Sequence, residues 1–331
     1  MEEKKKIVLS GMRPTGPLHI GHLVGALNNW VNLQDRYKTY FLIASLHALT
    51  SEYAESHKIP EYTKEIILDW LSVGIDPVKS VIFDHSKFEH HYELHLILSM
   101  ITPLGWLERV PTYKEQIKQL KAKNIDTYGF LGYPVLQTVD IILYKGELVP
   151  VGEDQVSHIE LSREIVRRFN YLYGEVFPEP KPLLTKVPRL PGLDGRKMSK
   201  SYNNAIYLKE DFNDVKKKIF PMMTDTRRKR RTDPGVPEDC PVFYYHKAFS
   251  SEEEIEEIKK GCTSATIGCV DCKKILLKNL EKVLVPIKEK RDKLEKDKDF
   301  VNDVLNEGNK KAKEVAEKTM DEVFSAIGFK K

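Results

Sequence analysis

Two short segments hold the side chains best suited to phosphate chemistry. His19-Ile20-Gly21-His22 follows the apolar run Ile7-Val8-Leu9, at what reads as a strand-to-helix junction. Lys197-Met198-Ser199-Lys200-Ser201 stands about 175 residues downstream, on a loop introduced by Asp194-Gly195. In the first segment Gly21 lets the backbone approach a flat base closely, and helix N-terminal amides favour phosphate. His19 and His22 can donate to phosphate oxygens as charge builds up. In the second, Lys197 and Lys200 supply ammonium groups that bond phosphate without fixed geometry. Such groups act best on charge that develops only in the transition state. In this order the two segments describe a clamp for ATP whose pyrophosphate leaves. Each alone has a plainer reading: histidines that cap or pack a helix start, and a Lys/Ser loop that is merely solvated.

Two further places carry candidate chemistry. Leu148-Val149-Pro150-Val151-Gly152-Glu153-Asp154-Gln155 reads as a strand ending in glycine and acids before a helix. Gly152 allows a ribose to approach, and Glu153 or Asp154 can accept from its hydroxyls. A helix N-cap is the competing role for Asp154. Asp140 lies among Val139, Ile141 and Ile142, where a carboxylate is expensive unless something donates to it. Capping its own helix after Thr138 is the alternative.

The elements that must position these groups follow from the patterning. Short apolar strands at 7–10, 40–44, 80–84 and 147–151 alternate with helical periodicity, which predicts an α/β fold with a parallel sheet. Tyr62, Ile66, Ile67, Trp70 and Leu71 share one helix face, with Pro60 in its first turn. A second helix starts near Gln155 and presents Ile159, Ile165, Val166 and Phe169. Five prolines and two glycines in 177–195 predict a loop or linker. Beyond about 209 the chain reads as helix, with one apolar stripe through Leu276, Leu280 and Leu284 and another through Val304, Ala316, Met320 and Val323.

Bulk properties permit this reading without requiring it. A chain of 331 residues, 31% charged and 41% hydrophobic, has room for two domains with a proper core. No apolar run approaches the roughly 18–20 residues of a membrane span. The charged start Met1-Glu2-Glu3-Lys4-Lys5-Lys6 has no signal-peptide core, so a cytoplasmic location is expected. A net charge of +4 is too mild to require nucleic acid. The block Arg227-Arg228-Lys229-Arg230-Arg231 is either a nucleic-acid contact or a solvated loop.

Four segments spanning nearly the whole chain resemble bacterial tryptophanyl-tRNA synthetases, which are class I aminoacyl-tRNA synthetases. They are 10–27 (SGMRPTGPLHIGHLVGAL), 129–144 (GFLGYPVLQTVDIILY), 149–170 (VPVGEDQVSHIELSREIVRRFN) and 197–201 (KMSKS). The HIGH and KMSKS motifs mark only the class; GEDQ followed by HIEL is more specific, and 307–316 (EGNKKAKEVA) resembles the family's closing helix. The resemblance implies a Rossmann-like catalytic domain over 1–208 with a helical insertion around 105–145. It implies a helical anticodon-recognition domain over 209–331. ATP contacts are implied at Arg13, Pro14, Thr15, Gly21, His22, Gly152, Glu153, Asp154, Leu190, Lys197, Met198, Ser199, Lys200 and Ser201. Of these Arg13, His22, Lys197 and Lys200 are the implied catalytic groups. Asp140 would accept the indole N–H of tryptophan, Tyr133 and Gln155 would hold the α-amino group, and His47 would line the pocket. A site built around such a bond rejects an isostere lacking the donor by roughly 10⁴. Implied partners are L-tryptophan, ATP with Mg²⁺, tRNA(Trp) and a second copy of the chain. Ser45 departs from the family, which usually has an aspartate two residues before the pocket histidine, so any contact of that aspartate is in doubt.

Cys240, Cys262, Cys269 and Cys272, spaced C-x21-C-x6-C-x2-C, stand in the helical half. A cytoplasmic protein does not use them as disulfides. Spacing alone leaves open a tetrahedral zinc site, an iron–sulfur cluster, or unrelated buried thiols. A subset of tryptophanyl-tRNA synthetases resembles this spacing and the 268–274 segment GCVDCKK, and that implies a 4Fe–4S cluster with zinc as the alternative. Rival readings are a tyrosyl-tRNA synthetase, a HIGH-motif nucleotidyltransferase acting on a small acid without tRNA, and a non-enzymatic RNA-binding iron–sulfur protein.

Overall fold

The computed structural model describes residues 5–110, 125–184 and 190–329, leaving aside the side chains of Asp154 and Ser201. The expected insertion around 105–145 lies partly outside these residues. Five parallel strands form the described sheet: β1 Ile7–Met12, β2 Lys38–Ile43, β3 Ser80–Asp84, β4 Leu148–Val151 and β5 Lys181–Leu184. Their order is β3-β2-β1-β4-β5. Val8 sits between Thr39 and Leu148, so the strand order reverses at β1. In such sheets the crevice beyond the carboxyl ends at the reversal is where ligands bind.

One expectation is corrected. β5 lies inside the 177–195 stretch read as a loop from its prolines. Pro182 pairs with Val149 on a strand at the sheet's edge, where a residue without an amide is tolerated because one side needs no ladder bond. The other four strands stand where the alternation placed them, with β1 running two residues further, to Met12.

The helix after β1 covers 20–36 and is not uniform. Its turn Leu23–Leu27 is π-helical, immediately after His22; such wide turns cluster at functional sites. The Ile59–Val73 helix has Pro60 in its first turn and ends at Gly74, in the left-handed conformation with φ 111°. Its buried face, Ile66, Ile67, Trp70 and Leu71, packs into a core that also holds Trp30 and Phe41, whose rings stack at 4.6 Å.

The same core crosses residue 208. Leu276, Leu280 and Leu284 of the Cys269–Lys296 helix belong to it. Ala312, Ala316, Met320 and Val323 of the Lys298–Ala326 helix join Phe83, Leu94 and Leu98 in a second core. Gly308 is the closest approach, because a side chain there would overlap the Ile82 carbonyl of β3. The Lys298–Ala326 helix thus returns to cover β3, while the Cys269–Lys296 helix packs on the Ile59–Val73 helix.

Candidate active site

A cavity of about 460 Å³ opens at the carboxyl ends of β1 and β4. Arg13, His47, Tyr133, Asp140, Gly152 and Gln155 are among its walls. Each arrives from a different element. Arg13 continues β1, and His47 lies on the Ser45–Glu52 helix. Tyr133 and Asp140 lie on the Tyr128–Ile142 helix, and Gly152 and Gln155 bracket the turn Glu153–Gln155 after β4. The Gln155 amide donates to the Gly152 carbonyl at 3.0 Å, closing that turn. Glu153 is exposed at its start. The Asp154 and Ser201 side chains fall outside the described residues.

The two lysine- and histidine-bearing motifs meet. A Cβ on Gly21 would stand 2.9 Å from the His19 ring and 3.3 Å from the Met198 sulfur, so a larger residue would have to displace the His19 ring. Pro14 is buried in the turn before the helix, and the Thr15 amide bonds the Arg13 carbonyl at 2.9 Å. The 197–201 loop folds over this turn. Lys200 Nζ donates to the Tyr62 hydroxyl at 3.1 Å and lies 4.7 Å above that ring. Leu190 and Met198 are buried beneath the loop. Asn204 fastens it: its Oδ1 accepts from the Ser199 amide at 2.8 Å, and its Nδ2 donates to the Lys197 carbonyl at 3.1 Å. Sequence reasoning missed Asn204 and read Tyr62 only as part of an apolar helix face, not as a partner of Lys200. Nothing local marks either, although Asn204 follows the motif by three residues.

Protonation at the first motif is decided by geometry. The His19 amide donates to His22 Nδ1 at 3.1 Å, so Nδ1 carries a lone pair and His22 is the neutral Nε2–H tautomer. Burial holds His22 down at about 4 and His19 at about 3, the latter helped by His22. At neutral pH these imidazoles act as neutral donors and not as cations.

Asp140 is 3% exposed and sits deep in its helix, two residues from the C-terminal end. The capping alternative is thereby removed, since Thr127 is the N-cap and accepts from the Phe130 amide. Instead two imidazoles hold the carboxylate: His47 Nε2 at 2.8 Å on Oδ2 and His85 Nδ1 at 2.9 Å on Oδ1. Burial alone would raise its pKa; His85 and His47 outweigh that and keep it below the usual carboxylate range. His85 was not foreseen, because no sequence pattern links residue 85 with 140.

The four cysteines come from three helix ends: Cys240 before Pro241–Phe249, Cys262 near the end of Glu252–Thr263, and Cys269 with Cys272 opening Cys269–Lys296. Burial makes Cys240, Cys262 and Cys272 harder to ionise, and the neighbouring thiols add to it; Cys272 rises to about 12. Arg228 reaches Cys262 Sγ at 3.9 Å, and His246 Nε2 lies 3.3 Å from Cys272 Sγ. Lys273 is buried beside them, with Nζ on the Phe220 and Met222 carbonyls at 2.7 and 2.6 Å. Four clustered thiols with fixed cations nearby suit a thiolate-bound centre, whose negative charge those cations would offset. The basic block divides. Arg228 turns inward onto the Ile267 carbonyl at 2.7 Å, Arg227 pairs with Asp225 at 3.0 Å, and Lys229 and Arg230 stay exposed. No helix among the described residues is long and apolar enough to cross a membrane.

Comparison with known proteins gives a consistent answer. The profile of the class I tRNA synthetases (W and Y) matches residues 1–285. The chain is 58% identical over 324 residues to a tryptophan–tRNA ligase of Thermotoga maritima, covering 97% of this chain and 99% of that one. It is 44% identical over 392 aligned positions to the tryptophan–tRNA ligase of Aquifex aeolicus, covering 97% and 99%. Among solved structures, the tryptophanyl-tRNA synthetase of Campylobacter jejuni complexed with ADP and tryptophan superposes with a TM-score of 0.86 at 33% identity, covering 97% and 99%.

Proposed function

Because the chain belongs to the class I tRNA synthetases, as one of their tryptophan–tRNA ligases, we propose how its residues divide the work. The enzyme activates L-tryptophan with ATP and transfers it to tRNA(Trp). In the first step the tryptophan carboxylate attacks the α-phosphate in line. An O–P bond forms, the bond to the β-phosphate breaks, and pyrophosphate leaves with its electron pair. No covalent enzyme intermediate is needed, so the protein contributes positioning and charge stabilisation.

ATP lies against Arg13, Pro14, Thr15, Gly21 and His22 on one side, and against Gly152, Glu153, Asp154 and Leu190 on the other. Neutral His22 donates through Nε2–H. The 197–201 loop closes over the phosphates, with Lys197 and Lys200 on the departing pyrophosphate. Mg²⁺ accompanies the nucleotide and supplies further charge neutralisation. Asp140 accepts the indole N–H, Tyr133 and Gln155 hold the α-amino group, and His47 lines the pocket. The observation that carries this is Asp140, a carboxylate kept ionised at 3% exposure in the wall of the cavity, with His47 and His85 on its two oxygens. In the second step the adenylate passes its tryptophanyl group to the terminal adenosine, at the 2′-hydroxyl by class I behaviour.

The 209–331 region reads the anticodon, and Cys240, Cys262, Cys269 and Cys272 hold a 4Fe–4S cluster that organises it. Supporting a thiolate-bound centre, the four cysteines gather from three helix ends, with Arg228 and Lys273 beside them. The centre would supply structural cross-linking of three helix ends. The enzyme is a homodimer, as the resemblance implies. The protein works in the cytoplasm, where tRNA is charged.

Pyrophosphate exchange into ATP tests the reading. Tryptophan should support exchange, whereas tyrosine or no amino acid should not. Exchange with tyrosine would favour the tyrosyl reading, and exchange without charging of tRNA would favour the nucleotidyltransferase.

A further inference from the structure

The departure at Ser45 leads to a part of the pocket that the reaction has not yet used. Ser45 Oγ donates to Asp84 Oδ2 at 2.9 Å, and the next residue, Leu46, gives its amide to His85 Nε2 at 2.8 Å. Two adjacent bonds thus clasp the start of the Ser45–Glu52 helix to the end of β3. Asp84 is fixed from two more sides: its Oδ1 accepts from the Ser86 amide, and its own amide donates to Asn309 Oδ1, both at 2.9 Å. His85 has no freedom left, and it is fully buried.

Its tautomer follows. An imidazole nitrogen that accepts an amide proton carries no proton itself, so Nε2 is bare and the hydrogen is on Nδ1. That hydrogen points at Asp140 Oδ1, 2.9 Å away. His85 is not among the cavity walls, whereas His47, on the other oxygen, is. Asp140 is therefore gripped from behind by one histidine and met from the pocket side by another.

We propose that His85 is the positioning residue of the amino-acid pocket: as a locked Nδ1–H donor it holds one oxygen of Asp140, so the carboxylate stays ionised with its remaining lone pairs aimed at the indole N–H. The proposal rests on the reading of Asp140 as the indole acceptor. A carboxylate offers about four lone-pair directions. With His85 and His47 on two of them, a third is available to tryptophan without a competing donor. His91 completes the back wall, with Nε2 3.1 Å from the Tyr144 hydroxyl and 3.7 Å from Asp140 Oδ1.

His85, His91 and Asp140 also place three ligand atoms within 4.8 Å of one another, which raises a metal site as the competing use. The tautomer opposes it. Ligation through Nδ1 would move the proton to Nε2, directly against the Leu46 amide at 2.8 Å, leaving two hydrogens facing each other.

The test compares tryptophan with its sulfur analogue, in which sulfur replaces the indole N–H, by pyrophosphate exchange. His85→Leu removes the donor, His85→Asn keeps one at the Nδ1 position, and His85→Gln moves it to the Nε2 position. His85→Leu and His85→Gln should each raise the KM for tryptophan at least tenfold, leave the KM for ATP within twofold, and lower discrimination against the analogue at least tenfold. His85→Asn should restore both within about threefold. If His85→Leu fails to fold, the Asn and Gln pair carries the same contrast. Unchanged discrimination in His85→Gln, equal effects of Asn and Gln, or one bound zinc per chain abolished by His85→Asn would overturn the proposal. Asp140→Ala separates the two levels: if it keeps discrimination, the reading of Asp140 fails, and if it alone loses discrimination, only the role of His85 fails.

Discussion

Arg291 Nε stands 3.0 Å from Asp69 Oδ1, with both side chains shut away from solvent. The other oxygen of Asp69 accepts from the Leu18 amide at 3.1 Å, one residue before His19. Arg291 Nη2 also meets Glu65 at 2.7 Å. The helix that begins at Cys269 thus ends on a buried ion pair whose far side steadies the turn into the first phosphate motif.

Removing one member of such a pair strands a buried charge, at a cost of about 3–5 kcal/mol, whereas replacing both by apolar groups is often neutral. Above about pH 8, where Asp69 is ionised beside Arg291, Arg291→Met should lower stability by about that amount, and Asp69→Leu with Arg291→Met should recover most of it. Denaturant unfolding of the single and double variants measures both. Burial pushes Asp69 up to about 7, against the pull of Arg291. The folded state then holds this proton more tightly than the unfolded one, and the contribution falls as pH rises from about 4 to about 7. Relative to Asp69→Asn, the parent chain should lose about 2 kcal/mol between pH 5 and 7.

His22, proposed as a phosphate donor, has the opposite sign. His22 is held at about 4 when folded, against 6.5 unperturbed. Its contribution is present above pH 6.5 and is lost as pH falls toward 4, amounting to about 3 kcal/mol at most. Relative to His22→Gln, the parent chain should become progressively less stable through this window, and thermal melts at stepped pH would show it.

Lys200 rests on Tyr62, and the proposed function places it on the leaving pyrophosphate. Lys200→Ala should lower the exchange rate by about 10²–10³, the range for loss of one transition-state donor, with the KM for tryptophan within threefold. Exchange at the parental rate would remove the role given to that loop.

Gly308 admits no side chain beside the Ile82 carbonyl. Gly308→Ala must push the Lys298–Ala326 helix off β3, which predicts a loss of about 3 kcal/mol or more. Because Asn309 holds the Asp84 amide, the KM for tryptophan should rise as well, by a kinetic readout at a temperature where the variant remains folded.

The cysteine centre gives a spectroscopic prediction. Anaerobically purified protein should be brown with absorbance near 400 nm, and Cys272→Ser should lose that colour and raise the KM for tRNA more than the KM for tryptophan. Stoichiometric zinc without iron would replace the cluster by the alternative metal.

Much of the fold was legible because its signals are local. Alternation over 80–84 placed β3 to the residue, and Pro60 placed the start of a helix. The miss at β5 has a physical cause. Pro182 reads as a breaker in sequence, and only its neighbour Val149, thirty-odd positions away, shows that it lies on an edge. The helical stripes were correctly seen as core, but not which core, since a stripe says that a face is buried and not against what.

Residue types and spacing by themselves named the candidate groups: imidazoles at a helix start, ammonium groups on a loop, one acid in an apolar helix and four grouped thiols. Those are properties of side chains and short-range order. Tertiary structure decided the state of each group. His22 is a neutral donor because the His19 amide faces its Nδ1. Asp140 stays ionised because His85 and His47 arrive from strands and helices remote in the chain. Protonation and orientation depend on what crosses a gap of about 3 Å, and no linear pattern records which residues the fold will bring across it.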